Sequence, residues 1–514
     1  PRAQVDKLKY TQFIQNKISL DENIEVIAGE VVDFTVNNSN VSSAILKDHS
    51  AYPCASLIIT AGTFLNGLIH IGERKFRAGR MGEKPAVGLT ESLINNGFSV
   101  GRLKTGTPPR LLSSSVDWEK TLLAPGDETP SPFSINSIGK FKPINEPCHI
   151  VNTNVNVHEY LKDNLHRSAM FSGQIEGVGP RYCPSVEDKI VRFASRDSHQ
   201  LFLEPEWTNS SQIYVNGFST SMPESIQKLA LMQIPALKNV EFIRPGYAIE
   251  YDYFPSSQLR STLETKSING LFLAGQINGT SGYEEAAAQG LVAGINAASK
   301  VNNLHPFVLR RSNSYIGVLI DDLITKTIDE PYRMFTSRAE HRLSLRPDTA
   351  PLRLTGLGIK YGLITPEQKA LFNRFKLEVE QAKLFIKLTK SNLFSDTKEP
   401  LQKTILKSTA TISQIQMEYI ELQSYAPQSL FTAETDIKYQ GYVDIENRRI
   451  SQFNKIENIK IPKTINYSKL ISMSAESIIK LEKVRPETLG QATRIAGVRA
   501  SDISILSIAI KQKG

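Results

Sequence analysis

Three short segments of the sequence combine residue types that could carry out chemistry. The first, GPRYCPSVEDK, spans 179–189 and holds Cys183 two residues after Arg181. A neighbouring cation favours the thiolate, and the thiolate is the nucleophilic form of cysteine. The alternative is a buried, inert thiol, which is the more frequent situation for a free cysteine. From the residues alone, the inert interpretation of Cys183 is favoured.

The other two cysteines give weaker signals. Cys54 precedes an apolar stretch, which favours an inert thiol, and Cys148 follows Pro147 in a mixed segment where both interpretations stay open. The chain has three cysteines, no C-x-x-C pair and eight scattered histidines. This usage argues against a disulfide framework and a structural zinc site, and it indicates a reducing compartment.

The second segment, 330–347, is rich in arginine. Arg338 and Arg342 are four residues apart, which would place them on one helix face with Arg346 one turn further on. Arginines interleaved with aromatic residues can hold phosphates and stack on bases. A solvated helix face paired with Glu340 explains the pattern equally well.

The third segment, 489–503, has the pattern helix, Gly-Val turn, helix. Arg494 and Arg499 lie on either side of Gly497. The amides of such a turn could meet a phosphate or a partner protein, whereas most helix pairs of this kind simply pack together.

These segments need elements that position them. Residues 24–46 contain two β-forming runs around an Asn/Ser turn, which predicts a hairpin. Residues 55–62 form an apolar run typical of a central parallel strand. Residues 270–275 predict a second buried strand, followed by a glycine-rich loop and a helix over 284–298. This order is the anion-binding geometry of dinucleotide-binding folds, although a bare β-loop-α unit is common.

The rest of the chain divides by composition. The density of Pro and Gly over 105–147 predicts a loop-rich excursion, and we interpret 111–240 as an insertion into the first domain. Helical periodicity covers 366–390, and 472–513 predicts two or three short helices with breaks at Pro486 and Gly497.

Length and charge limit the possibilities further. A chain of 514 residues suggests about three domains, and no apolar run approaches the ~20 residues of a membrane span. The net charge is +8, and residues 440–514 hold 13 Lys and Arg against 7 Asp and Glu. This asymmetry favours a polyanionic partner such as structured RNA, and a merely soluble basic helical domain fits it equally well.

Several long motifs resemble one known family, the MnmG (GidA) flavoproteins, which modify the wobble uridine of certain tRNAs. The motifs are GTFLNG (62–67), GRLKTGTPPR (101–110), GPRYCPS (179–185), FLEPE (202–206), RPGYAIEYD (244–252), AGQINGTSGYEEAAAQG (274–290), EPYRMFTSR (330–338) and GQATR (490–494). The resemblance covers essentially the whole chain.

The resemblance implies an α/β FAD-binding domain of the glutathione-reductase type, an inserted α/β domain and a C-terminal all-α domain. We expect the FAD-binding domain over 1–110 and 241–300 and a nicotinamide- and substrate-binding insertion over 111–240. A helical domain would follow over 301–435, and a helical subdomain for tRNA or partner binding over 436–514.

The resemblance also implies a reaction. With an MnmE-type GTPase, the family places a carboxymethylaminomethyl-type or taurinomethyl-type group on C5 of the wobble uridine, using methylenetetrahydrofolate as one-carbon donor and NADH to reduce FAD. It further implies a homodimer that assembles with the GTPase into a heterotetramer. Two alternatives stay open: a non-catalytic remnant that binds tRNA or the GTPase, and the sister folate-dependent tRNA uridine methyltransferase, which lacks the long helical C-terminus.

Site residues follow from the same resemblance. Cys183 matches a cysteine that the family needs for activity, and adding it to C6 of the uracil would make C5 nucleophilic, with Arg181 supporting a thiolate or a phosphate. The FAD-contact candidates are Val31, Gly62, Ala86 (through its backbone only), Gln276, Asn278, Gly282 and Glu284. The nicotinamide-cofactor candidates are Gly179, Pro180, Tyr182, Lys189 and Phe193. The tRNA-contact candidates are Arg333, Arg338, Arg342, Arg494 and Arg499.

The chain departs from the family pattern at its start. It begins at Pro1, inside that pattern, so the Gly-x-Gly-x-x-Gly turn that seats the FAD pyrophosphate and the first βαβ unit are not in this sequence. We therefore expect exposed apolar edges and weak or no FAD binding. The sequences of 317–322 and 343–348 resemble those of the mitochondrial branch of the family. We therefore expect a mitochondrial location, with the bacterial cytoplasm as the alternative.

Overall fold

The computed structural model describes residues 3–179, 184–326, 330–393, 398–407 and 409–513. The chain forms two compact units. The sheet unit comprises 1–128, 145–307 and 326–333, and the helical unit comprises 129–144, 308–325 and 334–514. The four-part domain division expected from the sequence stays a prediction.

The sheet unit contains nearly all of the β-structure. Its strands are β1 (Val31–Asn37), β2 (Asn40–Leu46), β3 (Ala51–Pro53), β4 (Leu57–Ile59), β5 (Leu68–Ile71), β6 (Arg74–Arg77), β7 (Gly101–Thr107), β8 (Arg110–Leu112), β9 (Leu122–Ala124), β10 (Cys148–Asn152), β11 (Gln200–Pro205), β12 (Gln212–Asn216), β13 (Phe242–Arg244), β14 (Tyr247–Tyr253) and β15 (Leu271–Leu273). Its α-helices are α1 (Lys7–Ser19), α2 (Leu89–Asn95), α3 (Val155–Asp163), α4 (Val186–Arg192), α5 (Glu224–Leu231) and α6 (Tyr283–Val301).

The predicted hairpin is confirmed in part. Strands β1 and β2 pair antiparallel around Asn38 and Ser39, whose φ angles of 49° and 62° suit a tight two-residue turn. The prediction of strand structure at 24–27 is wrong. A strand needs a hydrogen-bonded neighbour, no described residue pairs with this stretch as a strand, and Ile24 and Val26 are exposed.

The two predicted buried strands are confirmed as a parallel pair. Strand β4 pairs with β15 in the register Leu57 to Leu271 through Ile59 to Leu273. Helix α6 follows β15 after a short loop, as the sequence predicts. Parallel strands place their carboxyl ends at the same edge, so the loops that follow β4 and β15 lie side by side.

Two antiparallel sheets complete this unit. One has the order β6-β5-β14-β7, and the other has the order β13-β8-β12-β11-β10-β9. An apolar core packs around the six-stranded sheet and helices α3, α4 and α5. The four-stranded sheet carries several of the motif residues, including parts of GRLKTG and YAIEYD.

The helical unit consists mainly of helices. They are α7 (Tyr315–Thr325), α8 (Ala350–Lys360), α9 (Pro366–Leu388), α10 (Leu401–Thr404), α11 (Ile412–Glu418), α12 (Ile420–Gln423), α13 (Pro427–Glu457), α14 (Ala475–Val484), α15 (Leu489–Thr493) and α16 (Ala500–Lys513), with a short pair β16 (Lys390–Ser391) and β17 (Glu399–Pro400). The predictions of a helix over 366–390 and of short helices over 472–513 are confirmed. None of the helices in the described parts of the chain is long and apolar enough to cross a membrane.

The predicted helix face bearing Arg338 and Arg342 is wrong. A 3-10 turn, Thr336–Arg338, and one further turn, in which the Leu345 N–H donates to the His341 carbonyl at 3.1 Å, form in this described stretch, but they do not join into a helix. The backbone N–H of Ser344 donates to a carboxylate oxygen of Glu446 at 2.9 Å, as its hydroxyl also does at 2.5 Å. This side-chain acceptor takes the place of the carbonyl that a helix would have supplied.

Candidate functional site

The loops after the two parallel strands bring Gly62 and Gln276 together. Gly62 has φ +60° and Gly275 has φ +91°, conformations that favour glycine. The Oε1 atom of Gln276 lies 3.7 Å from the point where a Cβ on Gly62 would stand. Two candidates chosen from separate motifs are therefore neighbours, in a loop pair that presents backbone and one neutral amide.

The N-terminus of α6 does not form the anion cradle that the sequence predicts. The side chain of Glu285 folds back so that a Cβ on Gly282 would collide with its carboxylate. Glu284, also in the first turn, has a side chain that is 79% exposed. The positive end of the helix dipole is therefore already matched by carboxylates.

Arg333 belongs to this acidic helix end. Its guanidinium lies 3.6 Å from Glu285 and 3.7 Å from Glu284. The arginine predicted to contact RNA therefore has two carboxylates beside it in the sheet unit.

Two other FAD candidates make internal hydrogen bonds, and a third is half-buried. Asn278 is fully buried, and its Nδ2 donates to the Leu273 carbonyl at 2.7 Å and to Gln289 Oε1 at 2.8 Å. The backbone N–H of Ala86 donates to the Phe64 carbonyl, and its carbonyl accepts from the Asn66 amide, so the expected backbone contact is already in use. Val31 is half-buried at the start of β1.

The structure describes only part of the segment predicted to bind the nicotinamide cofactor. Pro180, Arg181, Tyr182 and Cys183 lie outside the described residues, so their predicted roles stay predictions. Lys189, on α4, donates from Nζ to the Gly217 carbonyl at 2.7 Å. Phe193, just after α4, is 46% exposed and has the Arg196 guanidinium 5.7 Å from its ring centroid.

A buried lysine lies beside Gly179, and sequence reasoning missed it. Lys104 on β7 is 5% exposed, and its Nζ lies 3.6 Å from the Met170 sulfur. Within the described residues no carboxylate lies in ion-pair range of this ammonium. A Cβ on Gly179 would stand 3.2 Å from Lys104 Cδ, so glycine leaves room for the lysine. The sequence signal that could have identified this residue is a lysine within the strand motif GRLKTG, because lysine is rarely buried.

The other cysteines differ in their surroundings. Burial raises the pKa of Cys54, which favours the neutral thiol and agrees with the inert interpretation. The thiol of Cys148 donates to Gln4 Oε1 at 3.3 Å.

In the helical unit, Arg494 is held by carboxylates on two sides. Its Nε and one Nη contact both oxygens of Asp321 at 2.6 and 2.7 Å, and its Nη atoms contact Glu457 at 2.7 and 2.8 Å. Arg311 also pairs with Asp321, and with Asp322 at 2.6 Å. A guanidinium engaged in this way binds helix ends together and is poorly placed to meet a phosphate.

Two of the three remaining arginine candidates are exposed. Arg342 and Arg499 are exposed. Arg338 lies 3.9 Å from Asp322 with its side chain 26% exposed. The RNA contacts of these three arginines stay predictions, and their exposure favours Arg342 and Arg499.

Comparison with known proteins places the chain in a family. A family model described as glucose inhibited division protein A matches residues 1–305, and a second, described as the tRNA modifying enzyme MnmG/GidA C-terminal helical bundle, matches 449–514. The solved structure of Aquifex aeolicus GidA in its form II crystal superposes with a TM-score of 0.90 at 40% identity, over 99% of this chain and 84% of that one.

Similar proteins of known name belong to the same family. The tRNA uridine 5-carboxymethylaminomethyl modification enzyme MnmG of Protochlamydia amoebophila is 44% identical over 99% of this chain and 81% of its own length. The enzyme of the same name from Lactococcus lactis is 44% identical over 100% of this chain and 85% of its own length. The chain belongs to the MnmG/GidA family.

Proposed function

We propose that this chain is the flavoprotein subunit of a tRNA wobble-uridine modification enzyme, which installs a carboxymethylaminomethyl-type or taurinomethyl-type group at C5. The observation that carries the proposal is 44% identity to a named MnmG enzyme over 99% of the chain. The family match at 449–514 favours this activity over the folate-dependent uridine methyltransferase, which lacks that helical end.

The proposed cofactor is FAD at the loops after β4 and β15. Gly62 and Gln276 place a residue without a side chain beside a neutral amide, which suits a flat ring. The carboxylates at the N-terminus of α6 do not fit a phosphate, so the pyrophosphate would have to be held elsewhere. Bound FAD would supply two-electron redox chemistry, with NADH as reductant and methylenetetrahydrofolate as one-carbon donor.

Within the described residues, the chain's own part in the reaction is to position and to bind. The 176–178 backbone, fixed to the four-stranded sheet, leads into the motif of Cys183, the proposed nucleophile toward C6 of the uracil. Arg342 and Arg499 would contact tRNA phosphates. An MnmE-type GTPase and a second copy of this chain are the proposed protein partners.

The compartment is proposed from the relatives. The named relatives come from bacteria, which supports the bacterial cytoplasm over the mitochondrion expected from the wording of two segments.

Reconstitution tests the proposed function. The chain is incubated with added FAD, NADH, methylenetetrahydrofolate, an MnmE-type GTPase with GTP, and tRNA from cells that lack the modification. We expect a C5-substituted wobble uridine with the mass of an aminomethyl-derived group. A 5-methyluridine product would indicate the methyltransferase instead, and tRNA binding without any modified nucleoside would indicate a non-catalytic remnant.

A further inference from the structure

The four-stranded sheet holds a buried histidine–carboxylate pair that none of the roles described so far uses. His70 on β5 and Glu250 on β14 are 0% and 2% exposed, and His70 Nε2 lies 2.7 Å from Glu250 Oε2. The two strands are neighbours, with His70 opposite Ala248. Buried pairs of this kind contribute little net stability because both groups lose their hydration. The contacts of the second Glu250 oxygen indicate what else the pair does.

The second oxygen of Glu250 holds the backbone of another segment. Glu250 Oε1 accepts from the amide of Glu176 at 2.9 Å and from the amide of Gly177 at 2.7 Å. Burial favours the protonated form, but the hydrogen bonds from His70 and from Gly177 outweigh it and lower the pKa of Glu250 below its ordinary value. Hydrogen bonds from amides to an ionised carboxylate are roughly twice as strong as neutral ones.

The same segment is tied to the sheet at its next residue. The backbone N–H of Lys104 donates to the Val178 carbonyl at 3.1 Å. A Cβ on Gly177 would stand 2.9 Å from the Leu103 backbone, so only glycine permits this close approach. Three successive residues, 176–178, are thus fixed immediately before the GPRYC motif.

We propose that Glu250, oriented by His70, is a positioning residue that fixes the 176–178 backbone and thereby the entry to the segment that carries Cys183. The catalytic consequence rests on the proposed function, whereas the effect on the backbone does not. A merely structural Glu250 would change the stability of the fold. A positioning Glu250 changes the local order of 176–178 and the turnover of the enzyme.

Hydrogen exchange of the full chain tests the local effect. The variants are Glu250→Ala, which removes the acceptor, and Glu250→Gln, which keeps an acceptor oxygen without the charge. The matched control is Glu378→Gln in the helical unit, because Glu378 is also buried and accepts from the Ala426 amide at 3.1 Å and from the Ser429 hydroxyl at 2.8 Å. We expect the amides of Glu176 and Gly177 to exchange at least tenfold faster in Glu250→Ala and by a smaller factor in Glu250→Gln. They should be unchanged in Glu378→Gln.

Kinetics tests the catalytic effect. In the reconstituted assay we expect kcat to fall at least tenfold in Glu250→Ala, with the KM for tRNA and the flavin absorbance within twofold of the parent. If Glu250→Ala does not fold, Glu250→Gln carries both tests. Equal exchange of the two amides in the Glu250 and Glu378 variants would overturn the inference. A parent chain without activity would count against the proposed function alone, since the exchange experiment still decides the role of Glu250.

Discussion

Arg494 and Asp321 form a bidentate ion pair in the helical unit, with nitrogen–oxygen distances of 2.6 and 2.7 Å. Glu457, at the end of α13, forms a second ion pair with the same guanidinium. The pair thus connects the end of α15 to α7 and α13. The positive charge of this region suggests RNA binding, but the contacts of Arg494 indicate that this arginine serves helix packing.

Replacing Arg494 by Ala is expected to destabilise the fold. Removing one member of a buried pair leaves carboxylates without their partner and costs about 3 kcal/mol or more. Arg494→Lys should rescue little, because an ammonium cannot make two bidentate contacts. Chemical denaturation measures the loss. An unchanged free energy of unfolding in Arg494→Ala would show that the pair is not structural.

Exposed arginines are expected to behave in the opposite way. Arg342→Ala and Arg499→Ala should leave the free energy of unfolding within about 0.5 kcal/mol. Each should weaken tRNA binding and lower the slope of log K against log salt by roughly 0.7–0.9, the contribution of one phosphate contact. Filter binding at several salt concentrations checks this. Identical salt slopes for variant and parent would remove that arginine from the interface.

Lys104 is expected to be a residue that lowers stability. Its buried ammonium has a thioether contact and, among the described residues, no carboxylate partner, so Lys104→Met should raise the free energy of unfolding by about 1 kcal/mol or more. Lys438→Met is the control, because Lys438 pairs with Glu434 at 2.7 Å, and it should not stabilise the chain. A destabilised Lys104→Met would contradict the prediction.

Gln276 and Asn278 form a second matched pair of variants. Gln276→Ala should weaken FAD binding at least tenfold, since its amide oxygen lies beside Gly62 in the loops proposed to hold the flavin. Asn278→Ala should lower stability by about 1–3 kcal/mol, because the Leu273 carbonyl and the Oε1 atom of Gln289 both lose the buried amide that donates to them. Flavin fluorescence titration and thermal unfolding distinguish the two. Equal loss of flavin affinity in both variants would contradict the assignment.

The sequence predicted the elements whose signals are local. The Asn/Ser turn at 37–40 and the apolar runs of β4 and β15 are such signals, and the helix after Gly282 is another. It could not predict contacts made across the chain. Ser344 donates to Glu446, which is 102 residues away, in a stretch where the sequence predicts a helix. Arg494 pairs with Asp321, which is 173 residues away, where the sequence predicts an RNA contact.

The site shows the same division. The sequence predicts the two buried strands that precede Gly62 and Gln276, and the parallel pairing found in the structure makes these residues neighbours. The return of the Glu285 side chain toward Gly282 could not be predicted, since it depends on one side-chain conformation. Lys104 and Glu250 are detectable in the sequence as charged residues within motifs that form strands. Their contacts, however, are made with residues 176–179, which the sequence does not place beside them.

The most direct test of the central claim is the wobble uridine itself. The chain, Cys183→Ser and Cys54→Ser are each expressed in a bacterium that lacks its own MnmG gene, and tRNA nucleosides are quantified by mass spectrometry. We predict that the parent and Cys54→Ser restore the C5-modified uridine and that Cys183→Ser does not. Restoration by Cys183→Ser would remove that thiol from the reaction, and no restoration by the parent would contradict the proposed activity of this chain.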